Sequence, residues 1–263
     1  MATILIQANA KINLDLKILG KRPDGFHQIE SVFQSIDLSD FLLFEKSKKD
    51  NLTGAIICLK AENIIFKAKK VLEKTLKKSL PCQIHLQKSI PIAAGLGGGS
   101  ADAAATLLGL NLLYNLNLSK KELAKIGIKI GADVPFFFYG GTCRVGGIGE
   151  IVRPVKKRLP NFFLIFRPHK RIETKKMYEL YDKTRKNFLE LAREICPEIR
   201  ELEKYFSKFN LKPKLSGSGP TMFCGVNSCE LAKKIAEGYQ NFNGDIFVCR
   251  PQNKALIIMR SVK

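Results

Sequence analysis

The chain has no apolar run approaching the roughly 18 residues that a membrane-crossing helix needs, so the sequence predicts no membrane partner. It also has no Cys-x-x-Cys pair. Its seven cysteines, at positions 58, 82, 143, 196, 224, 229 and 249, are scattered and odd in number, which argues against a disulfide framework or a zinc site and for reduced thiols used as small core residues. Met1 to Gln7 carries no basic leader before its short apolar stretch, and a cytoplasmic protein is expected. Two common nucleotide motifs are missing as well: no Gly-Lys-Ser/Thr completes a P-loop, and Ser100 stands where the dinucleotide fingerprint needs its third glycine. Acidic residues are scarce, 24 against 44 basic, giving a formal charge of +20. That charge suits nucleic acid or a polyanionic substrate. The aromatic residues are not interleaved with the basic runs as a single-strand binder requires, and the lysines fall on turns (Lys46, Lys48, Lys49) and on a helix face (Lys67, Lys69, Lys70, Lys74, Lys77, Lys78) where solvated lysines sit.

The 263 residues, 45% hydrophobic and 26% charged, suffice for one large core or two smaller ones. Ile4, Ile6 and Ala8, then Ile12, Leu14, Leu16 and Ile18, alternate with polar neighbours and predict strands. Lys11 and Asn13 share the strand face opposite Ile12 and Leu14, pointing away from the packed side. Pro23-Asp24-Gly25 is a turn that displays Phe26 and His27 at its exit. A strand pair straddling the turn at 46–51 precedes a helix over 61–79, and Cys82, Ile84 and Leu86 mark a further strand. It leads through Lys88 into Pro91-Ile92-Ala93-Ala94-Gly95-Leu96-Gly97-Gly98-Gly99-Ser100-Ala101. Glycines allow positive φ and close approach of a ligand to the backbone, and the free amides of a following helix attract an anion. Strand, glycine loop and helix together predict a phosphate cradle; the alternative is a merely flexible loop.

Ser119 and Glu122 form a capping box. Asp133 lies at a turn before an apolar run, 136–139, read as a strand, with Gly140-Gly141 as a hairpin. Pro154 to Pro160 is charged, with little to bury, and divides the chain into residues 1–154 and 155–263. The second part carries a strand at 162–166, a polar stretch, a helix at 187–206, a second glycine loop over Ser216-Gly217-Ser218-Gly219, a strand at 222–226, a helix at 228–239 and two closing strands, 245–250 and 254–260. Mixed strands and helices predict an α+β layer fold.

Three stretches in this order, Ala8 to Leu14, Pro91 to Ser100 and Leu215 to Pro220, resemble the GHMP kinases, the small-molecule kinase superfamily of galactokinase, homoserine kinase, mevalonate kinase and phosphomevalonate kinase. The stretches Arg22 to His27, Glu62 to Ile65, the triple glycine and Gly131 to Pro135 resemble the branch whose acceptor is a cytidine diphosphate-linked methylerythritol, in the non-mevalonate isoprenoid pathway. The resemblance implies a two-domain GHMP kinase fold, its first domain similar to ribosomal protein S5 domain 2 and its second a ferredoxin-like plait. It implies ATP and Mg2+ as cofactors, the metal ligands unassigned between Ser100 and Asp102, and a small-molecule partner with no nucleic acid, acting as a monomer or weak homodimer. It implies Asp133 as base and Lys11 beside it, and the loop from Pro91 to Ala101 on ATP. Asn63, Ile64 and Lys88 would lie around adenine and ribose, and Asn13, Phe26, His27 and Ser216 to Gly219 on the acceptor. The segment 171–186 departs from the branch's pattern, and Phe26 replaces its tyrosine. A homoserine or mevalonate type of kinase, and a basic RNA-binding α+β module, are the alternatives.

Overall fold

The computed structural model describes residues 3–55, 63–240 and 242–262. The predicted helix start at Ala61, with Glu62, lies outside them. In chain order the elements are β1 Thr3–Lys21, β2 His27–Lys46, β3 Asn51–Gly54, α1 Ile64–Leu76, β4 Cys82–Gln87, α2 Gly98–Leu113, α3 Lys120–Gly127, α4 Val134–Tyr139, β5 Thr142–Gly147 and β6 Ile151–Pro154. There follow β7 Phe162–Pro168, α5 Thr174–Thr184, α6 Phe188–Ile195, α7 Glu198–Ser207, β8 Lys214–Leu215, β9 Met222–Val226, α8 Cys229–Glu237, β10 Gly244–Cys249, β11 Pro251–Gln252 and β12 Leu256–Val262. The fold is α+β, as the mixed pattern predicts.

A long antiparallel hairpin, β1–β2, is the spine of the larger sheet, ordered β12-β1-β2-β4-β3. Bulges at Asn9/Ala10 and Asn13/Asp15 bend it. The end of β2 pairs with β4 at Phe41 to Lys46, and its beginning pairs with β5 at Ile29 to Gln34. β4 separates β2 from β3, so the two strands flanking the turn at 46–51 are not partners. A second sheet, ordered β10-β7-β9-β8, begins after the proline-rich segment. The closing strand, which the sequence reading places in the second part of the chain, returns to the first sheet: β12 runs antiparallel to β1, Leu256 opposite Ala8.

The burial pattern of β1 explains why its middle differs from its start. Over residues 3–8 alternate residues are buried, but from Asn9 to Leu14 all are, because one face lies on the helical layer and the other on the second sheet. Ala10, Ile12 and Leu14 share a cluster with Phe163, Ile165 and Phe223 across that junction. Lys11 and Asn13 therefore do not point to solvent as their alternation predicts. They are buried polar groups at the junction of the two units, which obliges them to find partners.

Three other elements differ from expectation. The run 136–139 is a short helix, α4, with Pro135 in its first turn, where the missing N–H costs nothing. Gly140 closes it with φ 65°, and β5 pairs with β2, so no hairpin forms. A short apolar run buried on every side has no readable period. The helix over 187–206 is two helices, α6 and α7, broken at Cys196-Pro197. Lys69, expected on the solvated face of α1, is buried, its ammonium 2.9 Å from Asp50 and 2.5 Å from Glu73.

Candidate active site

The glycine loop sits where the sequence predicts, at the start of α2. Gly97, with φ 71°, is the N-cap, and the first helical bond runs from the Ala101 amide to the Gly97 carbonyl. The amides of Gly98, Gly99 and Ser100 therefore have no partner within the helix. The loop is pinned to β1 by the Lys11 amide donating to the Leu96 carbonyl, 2.9 Å. It is pinned to the second unit by the Ser216 hydroxyl donating to the Gly95 carbonyl, 3.1 Å. No side chain fits at Gly95, since a Cβ there would stand 2.6 Å from the Ser216 carbonyl oxygen. The two glycine loops are thus packed backbone to backbone.

Across from the loop, the Lys11 ammonium is 3.0 Å from Asp133 Oδ2 and donates to Asn13 Oδ1 at 2.7 Å. It also lies 4.5 Å from the centre of the Phe33 ring. Asn13 in turn donates to Ser31 at 3.2 Å. Asp133 caps α4 without using its side chain, which is 30% exposed, so the carboxylate faces the cleft. Buried lysine, partly open carboxylate and a row of free helix amides surround a cavity of about 450 Å³. This arrangement can accept a proton from an alcohol and neutralise a polyphosphate beside it.

Of the predicted residues, Lys11, Asn13, Asn63, Ile64, Lys88, Pro91 to Gly95, Gly97 to Ser100, Asp133, Gly217 and Ser218 line this cleft. Asn63 is held as the N-cap of α1, accepting from the Ile65 amide at 2.9 Å. Leu96, Ala101 and Ser216 are buried behind the lining, where they pack and brace the loops. Gly219, with φ 78°, is in the buried turn before Pro220.

Phe26 and His27 are not part of the lining. Phe26 is 57% exposed at the hairpin turn. His27 is turned toward α5, its ring stacked on Tyr178 at 4.7 Å between centroids and its Nε2 2.7 Å from Asp182 Oδ1. The hydrogen bonds from Lys21 and His27 hold the Asp182 carboxyl below its usual range.

Sequence reasoning missed α5. Its Thr174 and Tyr178 line the cleft, and Thr174 meets the Ser218 hydroxyl at 2.9 Å. Burial pushes the Tyr178 phenol up to about 12, and the negative charge of Asp133 adds to the shift. The signal was the spacing of Met177, Tyr178 and Tyr181 within a stretch whose charges mask its period.

Residues 63–141 match the family described as the GHMP kinases N terminal domain, and with the cleft this defines a GHMP-type small-molecule kinase. The chain is 42% identical to the 4-diphosphocytidyl-2-C-methyl-D-erythritol kinase of Carboxydothermus hydrogenoformans, covering 94% of this chain and 96% of that protein. It is 37% identical to the enzyme of that name from Thermoanaerobacter pseudethanolicus, covering 97% and 99%. A crystal structure of a 4-(cytidine 5'-diphospho)-2C-methyl-D-erythritol kinase superposes with a TM-score of 0.78 at 26% identity, over 95% of this chain and 99% of that one. The chain belongs to the 4-diphosphocytidyl-2-C-methyl-D-erythritol kinase family, and it is an ATP-dependent kinase of small molecules. A homoserine kinase from Cytophaga hutchinsonii, with a TM-score of 0.75 at 19% identity, shares the fold.

Proposed function

We propose that the chain transfers the terminal phosphoryl group of ATP to the 2-hydroxyl of 4-diphosphocytidyl-2-C-methyl-D-erythritol, with Asp133 as base. The observation that carries the roles is the Lys11–Asp133 contact of 3.0 Å facing the free amides of α2. The substrate O–H gives its proton to the Asp133 carboxylate as its oxygen attacks the terminal phosphorus. The bond from that phosphorus to the bridging oxygen breaks, ADP departs, and Asp133 returns its proton to water. Lys11 orients the Asp133 carboxylate through their 3.0 Å contact and offsets charge on the moving phosphoryl group.

The amides of Gly98 to Ser100 and the ammonium of Lys88 take the nucleotide phosphates, and Asn63 and Ile64 border the base and sugar. Tyr178 offers the aromatic face for the acceptor's cytosine, backed by His27, while Asn13, Gly217 and Ser218 border the polyol. Magnesium fits as the nucleotide's companion. The Ser100 hydroxyl lines the cleft beside the phosphate amides, whereas Asp102 has the Lys88 cation against one oxygen. The ion would neutralise phosphate charge.

Among the described residues, no helix is long and apolar enough to cross a membrane. The reading needs no nucleic-acid partner and places a monomer or weak homodimer in the cytoplasm. ADP release measured with the diphosphocytidyl substrate, homoserine and mevalonate tests it: turnover with the first alone is expected, and preference for a small alcohol overturns it.

A further inference from the structure

The turn between β5 and β6 lies against the loop that carries Asp133. Gly149 in that turn, at φ 139°, packs on Ala132, and a Cβ on Gly149 would stand 2.1 Å from the Ala132 carbonyl oxygen. That carbonyl belongs to the planar peptide leading into Asp133, so displacing it rotates the carboxylate. The Asp133 side chain makes no capping bond to α4, and its aim depends on Lys11 and on the backbone beneath it. Glu150 closes the turn. Its Oε2 accepts from the amides of Ile148, 2.6 Å, and Gly149, 3.1 Å, and the Gly149 amide also reaches the Gly146 carbonyl at 3.1 Å. The carboxylate lies over Gly147, where a Cβ would stand 2.4 Å from both of its oxygens. Its Oε1 is 3.8 Å from the guanidinium of Arg22 in the hairpin turn.

We propose that Glu150 is a positioning residue for the base: by holding the amides of Ile148 and Gly149 it keeps Gly149 against Ala132 and so fixes the direction of the Asp133 carboxylate. A glycine has many conformations open to it, and one that must hold a single strained one needs a partner. The two amide bonds supply it, because hydrogen bonds to a charged acceptor are the strong ones. The Arg22 contact is long and lies between exposed groups, 41% and 38%, so water screens it and it contributes little. With the carboxylate gone the turn relaxes, Ala132 gains room, and the base loses its aim at the acceptor hydroxyl. The effect falls on the transfer step rather than on nucleotide binding.

The role of Glu150 rests on the reading of Asp133 as base, and a double-mutant cycle separates the two: parent, Asp133→Asn, Glu150→Ala and both together, with Glu150→Gln alongside. Thermal unfolding fixes an assay temperature at which all five proteins are folded. Misplacing a reacting group by about 1 Å can cost on the order of a hundredfold, so Glu150→Ala should lower kcat about tenfold or more at saturating substrates, with the ATP KM within about twofold of the parent. Glu150→Gln, whose side-chain oxygen still accepts from both amides, should keep kcat within about threefold of the parent. The double variant should stay within about twofold of Asp133→Asn, because a support has no effect once the group it aims is gone. Parent-like turnover in Asp133→Asn overturns the base and the role of Glu150 together. If Asp133→Asn loses activity and Glu150→Ala keeps its kcat, the role of Glu150 alone falls. It falls too if Glu150→Gln loses as much as Glu150→Ala, or if the double variant loses a further tenfold.

Discussion

The Lys11 ammonium stands 3.0 Å from the Asp133 carboxylate although the two lie 122 positions apart in the chain, and Gly97 lies directly against the lysine's stem. A Cβ on Gly97 would be 2.8 Å from Lys11 Cγ. The glycine loop and the Asp133 carboxylate thus both meet the Lys11 side chain, and the loop can be made of no larger residue there.

Asp133→Asn keeps the size of the side chain and a partner for Lys11 but cannot take a proton. We expect kcat to fall by a factor on the order of 10² to 10⁴ with ATP binding retained, measured by ADP release and by nucleotide titration. Unchanged turnover would remove Asp133 from the role of base.

Gly97→Ala and Gly99→Ala should behave differently. At Gly97 the added methyl meets Lys11 in a backbone of φ 71°, whereas at Gly99 the nearest atom is Ile64 Cδ1 at 3.7 Å. The first variant should lose activity through displacement of Lys11. The second should leave the fold intact, raising stability by at most about 1 kcal/mol, since alanine is the better helix residue. Thermal unfolding of both and turnover of the first check this; equal melting and full activity in Gly97→Ala would contradict it.

Removing the amine of Lys69 leaves the partly exposed Asp50 and Glu73 without the buried cation they share. Lys69→Met should lower unfolding stability by about 1.5–3 kcal/mol, the range for hydrogen bonds to charged groups, as measured by denaturant titration.

Asp182 ties α5 to the hairpin through Lys21, 2.6 Å, and His27, 2.7 Å. Its carboxyl is lowered from 3.8, first by the Lys21 hydrogen bond and then by that of His27. A lowered folded-state value means that the contribution is complete above the ordinary carboxylate range and is lost as pH falls through the folded-state value. The stability difference between the parent and Asp182→Asn should therefore close toward zero as pH falls below about 3.8, the unperturbed carboxylate value. A difference that persists undiminished in acid would show that the contact acts by packing.

Much of the side proposed for the nucleotide was legible because its signals are local. The alternation of Cys82, Ile84 and Leu86, the glycines of the loop and the alanines after it lie in one continuous stretch, and the strand–loop–helix they predict is the one that forms. Asp133 was legible only through its resemblance to a family motif; the run after it was misread because Phe136 to Phe138 are buried on all sides, and periodicity needs an exposed side.

The side proposed for the acceptor was less legible. Tyr178 and Asp182 come from a polar stretch that forms α5 and docks on the hairpin turn, and nothing local links them to His27, about 150 residues earlier. Similarly, β12 looks like any other edge strand, and its return to β1 depends on which apolar edge is left open in three dimensions.

What the sequence determined by itself was each short-range choice: which segments turn, which alternate, where a backbone free of side chains could meet a phosphate, and where a capping box starts α3. The tertiary structure alone decided which charges are buried. By charge and spacing alone, Lys11 and Lys69 read like the many solvated lysines of a +20 chain. Their burial is decided by the carboxylates that meet them, Asp133 for Lys11 and Asp50 with Glu73 for Lys69, because burying an ammonium is tolerable only where a counter-charge waits.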